Sequence, residues 1–360
     1  MKSLLVVEAY SHPKVLENQF FLFRDKFDMT FMTIPDKYES YQAMMPNILK
    51  SGRLLLSFHS TSLFAQLLLI GYKYDYIHIS TGPEHAHFSN LWTRPFYFLC
   101  MIFYRRKMLL TIKNSRSYLK SASCFPSLLN ISLRFAKLVL FETDTLRNYF
   151  VKAYGKPLRT AVIYDRYTDL LDPSLIKPRK ATQPFRIGML GSLDKARRDY
   201  QTVLDAFREL PQECLGSVEI VILGECIDGE DNEILKSFKQ LVAVDYPVRY
   251  LTSDEFDKKG SSCDLLLSPL LPSMEYGTFK GSGAIGDAIY LQKNILLPSF
   301  VDPDKEFSEI SYYYSNKTDL AGILNSISQK PARAIGTDFI EKYNTDSISR
   351  NIINEINQIN

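Results

Sequence analysis

The chain has 360 residues, 46% hydrophobic and 23% charged, with 16 glycines, 17 prolines and five cysteines. Too little glycine and proline for a collagen-like or disordered chain, and too few cysteines for a disulfide scaffold, leave a packed globular protein. The formal charge of +3 hides an asymmetry: residues 1–180 carry 25 Lys+Arg against 13 Asp+Glu, and residues 181–360 carry 18 against 27.

A chain this long is expected to form two domains. The first apolar run, Ser3–Val7, is stopped by Glu8 too early for the h-region of a signal peptide and reads as a strand. Further strands are expected at Asp28–Ile34, Tyr76–Ser80, Met108–Ile112, Val139–Glu142 and Arg159–Ile163. In the second half they are expected at Phe185–Leu190, Val218–Leu223, Val248–Leu251, Leu265–Ser268, Ile295–Leu297 and Tyr312–Tyr314. Helical-period segments separate them, and that alternation predicts α/β domains with two parallel sheets of about six strands each.

Residues 173–184 contain Pro173, Pro178 and Pro184 without periodicity and read as a linker. The expected domains are therefore 1–172 and 185–335. Residues 336–360, with Phe339, Ile340, Tyr343, Ile348, Ile352 and Ile356 at helical spacing, form one or two helices packing on the lobes. The densest apolar run, Phe96–Tyr104, stops at Arg105-Arg106-Lys107, short of the roughly 18 residues a spanning helix needs. Cys100, Cys124, Cys214, Cys226 and Cys263 are scattered and form no C-x-x-C pair. They are expected as small core residues in a reducing compartment, so the predicted localisation is cytoplasmic.

Two domains of this class, facing each other, bind ligands at the carboxyl ends of their strands. Strand Phe185–Leu190 runs into Gly191-Ser192-Leu193-Asp194-Lys195-Ala196-Arg197-Arg198-Asp199, followed by a helix from Gln201 to Leu210. A glycine turn and three cations before a helix N-terminus suit a phosphate, while a solvated loop is the plain alternative. A second junction, Lys280-Gly281-Ser282-Gly283-Ala284-Ile285-Gly286-Asp287, offers backbone N–H groups and a lysine to a diphosphate. Asp287, one turn on, can accept from ribose hydroxyls. In the first half, Gly82-Pro83-Glu84-His85-Ala86-His87 follows the strand at Tyr76–Ser80. Its histidines can orient an acceptor hydroxyl or take its proton; helix capping is the alternative reading. No third ligand accompanies them for zinc, so no metal site is expected. His12, after the first strand, is a secondary candidate.

These residues carry a resemblance over roughly residues 185–300 to the nucleotide-binding lobe of GT-B fold glycosyltransferases, especially the retaining glycosyltransferase family four. Gly191 through Arg198 to Ala206-Phe207 is similar to that family's glycine turn, basic residue and helix, with Arg198 near its phosphate-binding lysine and Ser192 in place of its usual arginine. Val218–Glu225 and Cys263–Pro269 are similar to its following strands. The family's two-glutamate motif overlays on Phe279 and Asp287, so the first acid is absent.

The resemblance implies two Rossmann-like domains across a cleft and transfer of a sugar from a nucleotide-activated donor to a glycan or lipid-linked acceptor in cell-surface polysaccharide synthesis. Gly191, Lys195, Arg197, Arg198, Lys280, Gly281, Ser282, Gly283 and Asp287 are expected to bind the donor. Glu84, His85 and His87 are expected as catalytic residues on the acceptor side. Cations would neutralise the leaving diphosphate without a metal, and no cofactor beyond the donor is expected. A sugar-nucleotide epimerase and a catalytically silent partner subunit are the alternatives. Aromatics flanked by cations at Trp92–Lys107 suggest an anionic membrane surface, on the inner face of the plasma membrane, as a further partner. Nucleic acid is not an expected partner.

Overall fold

The computed structural model describes residues 1–8, 13–34, 53–81, 92–119, 128–176, 183–226, 228–249, 251–272, 275–328 and 333–358. These form two compact units. The first comprises Met1–Arg166, Thr278–Gly281 and Asn344–Asn360, and the second comprises Tyr167–Gly277 and Ser282–Tyr343.

The first unit is built on β1 (Lys2–Glu8), β2 (Phe27–Thr33), β3 (Leu54–Leu56), β4 (Tyr76–Ile79), β5 (Met108–Ile112), β6 (Leu138–Phe141) and β7 (Thr160–Val162). They lie in the order β3-β2-β1-β4-β5-β6-β7, each pair parallel. Leu4 to Val7 are fully buried, as expected where helices cover both faces of a sheet and the strand reads as a continuous apolar run. The short strand β3 was not expected from the sequence: three leucines in a row carry no period that separates strand from helix, and pairing with β2 decides the matter.

The second unit contains β8 (Phe185–Met189), β9 (Val218–Ile222), β10 (Ala243–Asp245), β11 (Leu265–Leu267), β12 (Ile295–Pro298) and β13 (Ser311–Tyr314). Their order is β10-β9-β8-β11-β12-β13, again all parallel. Of the strand expected at Val248–Leu251, the described residues Val248, Arg249 and Leu251 lie in no strand. Pro247 lacks the N–H a ladder needs, Val248 is 94% exposed, and the pairing with β9 falls instead on Ala243–Asp245.

Local signals explain the helices that connect the strands. Tyr200–Arg208 buries Tyr200, Val203, Leu204 and Phe207, the spacing of one helical face, and begins where Asp199 accepts from the Thr202 N–H at 3.0 Å. Ser253–Ser261 opens with a capping box between Thr252 and Glu255. The expected terminal helices are Thr337–Lys342 and Thr345–Asn357, and they belong to different units. In the second unit, Thr168 donates from Oγ1 to the Ile340 carbonyl at 2.7 Å, and its N–H donates to the Tyr343 carbonyl at 3.1 Å. In the first, Asp346 at the start of the last helix pairs with Lys26 at 2.8 Å.

Both sheets reverse their strand order at one point, between β1 and β4 and between β8 and β11. Loops leaving the carboxyl ends there diverge and open a crevice, the favoured ligand position in open α/β sheets. Among the described residues no helix is long and apolar enough to cross a membrane.

Candidate functional site

In the second unit, the loop after β8 occupies the strand-order reversal. Gly191 has φ +80°, a conformation that glycine adopts without strain. Two bare glycines are required here. A β-carbon there would collide with the guanidinium of Arg198, and a β-carbon on Gly224, after β9, would collide with the Gly191 carbonyl. The turns after β8 and β9 thus meet backbone to backbone.

Arg198 donates from Nε to the Leu190 carbonyl and from Nη1 to the Ser192 carbonyl, both at 3.1 Å. The Tyr200 hydroxyl donates to the same Ser192 carbonyl at 2.8 Å. Across the reversal, the Leu271 N–H donates to the Arg197 carbonyl at 3.1 Å and the Asp199 N–H to the Pro269 carbonyl at 2.7 Å. The loop is therefore tied to the ends of β8 and β11. Arg198 is half-buried and aimed into the turn, Nη2 makes no hydrogen bond among the described residues, and the neighbouring Arg197 is exposed.

The other sequence-predicted donor residues are distributed differently. Lys195 points to Glu233, with an N–O distance of 2.7 Å and both side chains well exposed, a pairing of little energetic weight. Ser282 caps the helix Gly283–Leu291, accepting from the Ala284 N–H at 3.3 Å, and exposed Gly283 opens that helix. Asp287 lies one turn inside it and is half-buried. Lys280 and Gly281 group with the first unit, where Lys280 bridges Asn114. Phe279, at the position of the absent acid, is held firmly: its carbonyl accepts from the Ser115 N–H at 2.8 Å and from Ser115 Oγ at 2.9 Å. The Arg116 guanidinium lies 5.7 Å from its ring centroid. Glu84, His85, His87 and His12 lie outside the described residues.

At the carboxyl edge of the first unit's sheet, two clusters escaped the sequence reading. Glu8, wholly buried at the end of β1, accepts from Ser80 Oγ at 2.6 Å and from Thr81 Oγ1, which ties β1 to β4 across the strand-order reversal. Lys113, Glu142 and Asp165 follow β5, β6 and β7. Lys113 Nζ pairs with Glu142 and, at 2.6 Å, with Asp165. The Glu142 carboxylate also fills the space a β-carbon on Gly281 would need.

Burial, then the charge of Asp165, push the Glu142 carboxyl up to about 8 against the pull of Lys113. Burial would lower the Lys113 ammonium, but Asp165 and Glu142 outweigh it and hold Lys113 above the ordinary lysine value. One cation between a buried and a half-buried carboxylate leaves a site that retains a proton readily. A signal was present in the sequence: a charge closes an otherwise apolar strand at Glu8, Lys113 and Glu142.

His78, in β4, is wholly buried, and its Nε2 lies 2.7 Å from Thr111 Oγ1 in β5. Burial and then the charge of Lys113 push it down to about 3, so it is a neutral core histidine. Its Nδ1 has no partner among the described residues.

No family model and no curated protein matches the chain. Among solved structures it superposes on a glycosyltransferase from Rickettsia africae ESF-5 with a TM-score of 0.63, covering 99% of this chain and 98% of that one at 12% identity. It superposes on the apo form of the lipopolysaccharide outer core galactosyltransferase WaaB with a TM-score of 0.62, covering 99% of each chain at 14% identity. Against the UDP-GlcNAc 2-epimerase from Neisseria meningitidis bound to UDP-GlcNAc the TM-score is 0.54, covering 99% and 100% at 12% identity. The chain has the GT-B fold, two parallel-sheet α/β domains.

Proposed function

We propose that the protein is a glycosyltransferase that takes a sugar from a nucleotide-activated donor. The observation that carries this reading is the loop Gly191–Asp199 at the strand-order reversal of the second unit. A bare glycine turn, a guanidinium whose Nη2 makes no hydrogen bond among the described residues, and a capped helix together make an anion-binding end to a parallel sheet. Arg198 and Arg197 would neutralise the pyrophosphate, and the helix beginning at Gly283 would turn its N–H groups to it, with Asp287 toward the ribose. Lys280 would add charge to the diphosphate. Charge neutralisation by these side chains is the catalytic contribution the reading asks for, and it needs no metal.

The acceptor would be a glycan or a lipid-linked sugar in cell-surface polysaccharide synthesis. It would be received at the carboxyl edge of the first unit's sheet, with Glu84, His85 and His87 as its hydroxyl partners.

A thermal-shift screen against UDP-, GDP-, ADP- and CMP-sugars tests the donor half, because a ligand of the folded state raises its melting temperature. At least one donor is expected to stabilise the wild-type chain but not Arg198→Ala. If no donor shifts the wild type, or the variant responds equally, the reading fails. The fold is shared with an epimerase bound to UDP-GlcNAc, so a sugar-nucleotide epimerase is the second reading. Conversion of the donor without any acceptor would favour it.

A further inference from the structure

The amino edge of the first unit's sheet, opposite Glu8, Lys113 and Glu142, carries a depression lined by Lys2, Arg105, Arg106, Lys107, Lys137 and Arg159, with Asp75 the carboxylate among its described lining residues. The topology gathers these cations. Lys2 opens β1, and Lys107, Lys137 and Arg159 immediately precede β5, β6 and β7, so parallel strands bring them to one edge. Among the described residues little neutralises them. Oδ2 of Asp75 is engaged by the Ser3 N–H at 2.7 Å and by Ser3 Oγ at 2.9 Å. Lys107 Nζ donates to the carbonyls of Tyr72 and Tyr74 at 3.1 and 2.6 Å. The Lys2 and Lys137 ammonium groups each lie 5.4 Å from the Tyr76 ring centroid. Burial, followed by the charges of Lys2 and Arg159, holds the Lys137 ammonium below the ordinary lysine value.

Beside this depression the surface is apolar. The helix Thr93–Phe103 exposes Leu99, Ile102 and Phe103, the last by 69%, at the i, i+3, i+4 spacing of one face, and the chain runs straight on to Arg105 and Arg106. Its neighbour, the helix Ser60–Ile70, exposes Leu69 by 72% at its end, and Tyr72 follows at 66%. The two helices are locked together where Phe64 meets Tyr97 edge to face at 5.4 Å between centroids and where the Tyr104 hydroxyl donates to the Leu68 carbonyl at 2.5 Å. The exposed apolar groups and the cations are therefore contiguous. A soluble polyanion would satisfy the cations and leave the apolar side chains in water; a bilayer with anionic headgroups satisfies both.

We propose that this edge docks the first unit on an anionic phospholipid bilayer, with headgroup phosphates in the depression and Leu99, Ile102 and Phe103 in the interfacial layer. The proposal does not depend on the transferase reading, and its test does not involve a sugar donor.

The test is flotation of the full chain with vesicles of phosphatidylcholine alone and vesicles containing about one-third phosphatidylglycerol. The chain is expected to float with the anionic vesicles only and to be released by added salt. Replacing Arg105→Glu together with Arg106→Glu should lower the bound fraction by about tenfold or more, since each cation near such a surface contributes measurably to binding. Phe103→Ser should weaken binding while leaving its salt dependence in place. Circular dichroism of both variants, whose changed side chains are exposed, checks that they fold. Equal binding to neutral vesicles, no flotation, or binding unchanged in both folded variants overturns the proposal. So does a chain stabilised by inorganic phosphate that ignores vesicles, which would make the depression a site for a soluble anion.

Discussion

Arg198 occupies the space that a side chain on Gly191 would need, and it does so while donating to the carbonyls on either side of that glycine, Leu190 and Ser192, at 3.1 Å each. The glycine and the arginine are thus one device: the turn exists in that form because the guanidinium closes it.

Substituting Gly191→Ala should therefore act twice, by placing a non-glycine residue at φ +80° and by expelling the guanidinium. A loss of about 1–3 kcal/mol in urea denaturation is expected. The donor-induced thermal shift should vanish with it. An alanine variant with unchanged midpoint and unchanged shift would refute the coupling.

Gly224→Ala is expected to be at least as damaging to stability. Its β-carbon would meet the backbone of Gly191 and Ser192, which no rotamer change can move away. The urea midpoint relative to Gly191→Ala is the measurement.

Arg198→Lys should separate charge from shape. Lysine keeps the positive charge but cannot span both carbonyls with a planar fork, so a donor-induced shift smaller than wild type, yet larger than that of Arg198→Ala, is expected. If lysine restores the full shift, the carbonyl-bonded geometry is irrelevant to the anion.

For Glu142 the sign of the pH effect is defined. Its carboxyl is held up to about 8, above its ordinary value of 4.5, so between these limits the folded state holds a proton that the unfolded state releases. Stability should fall as pH rises through this window, by at most about 1.4 kcal/mol per unit. Glu142→Gln should flatten that slope, as read from urea midpoints across the range.

His78 works in the opposite sense. Its pKa is pushed down to about 3 in the folded chain against an ordinary 6.5, so below 6.5 the unfolded state takes up a proton that the folded state refuses. Its contribution destabilises the fold increasingly as pH falls from 6.5 toward 3. His78→Gln retains a polar atom toward Thr111 without a titrating ring and should remove about one proton from the acid slope. Identical slopes would show that the buried ring does not titrate as described.

Alternation of short apolar runs with helical-period segments was enough to read off parallel α/β architecture, because a strand buried on both faces needs a continuous apolar run whatever its neighbours. The loop Gly191–Asp199 was legible for a similar reason, since a glycine followed by cations before a cap is a local pattern. Strand β3 and the shift from Val248–Leu251 to Ala243–Asp245 were not, because pairing with a neighbouring strand, and the missing N–H of Pro247, decide which residues join an edge. Phe279 read as the loss of an acid, and only its contacts with Ser115 and Arg116 make it an anchoring residue.

The order of residues by itself determined the fold class, the division of charge between the halves and the glycine turn, all of which depend on composition and short-range spacing. The tertiary structure alone decided that Lys113, Glu142 and Asp165 share one site and that cations far apart in the chain line one edge of a sheet. Such groupings are made by strand order, and strand order follows from which apolar faces cover one another, a long-range property that no local pattern records.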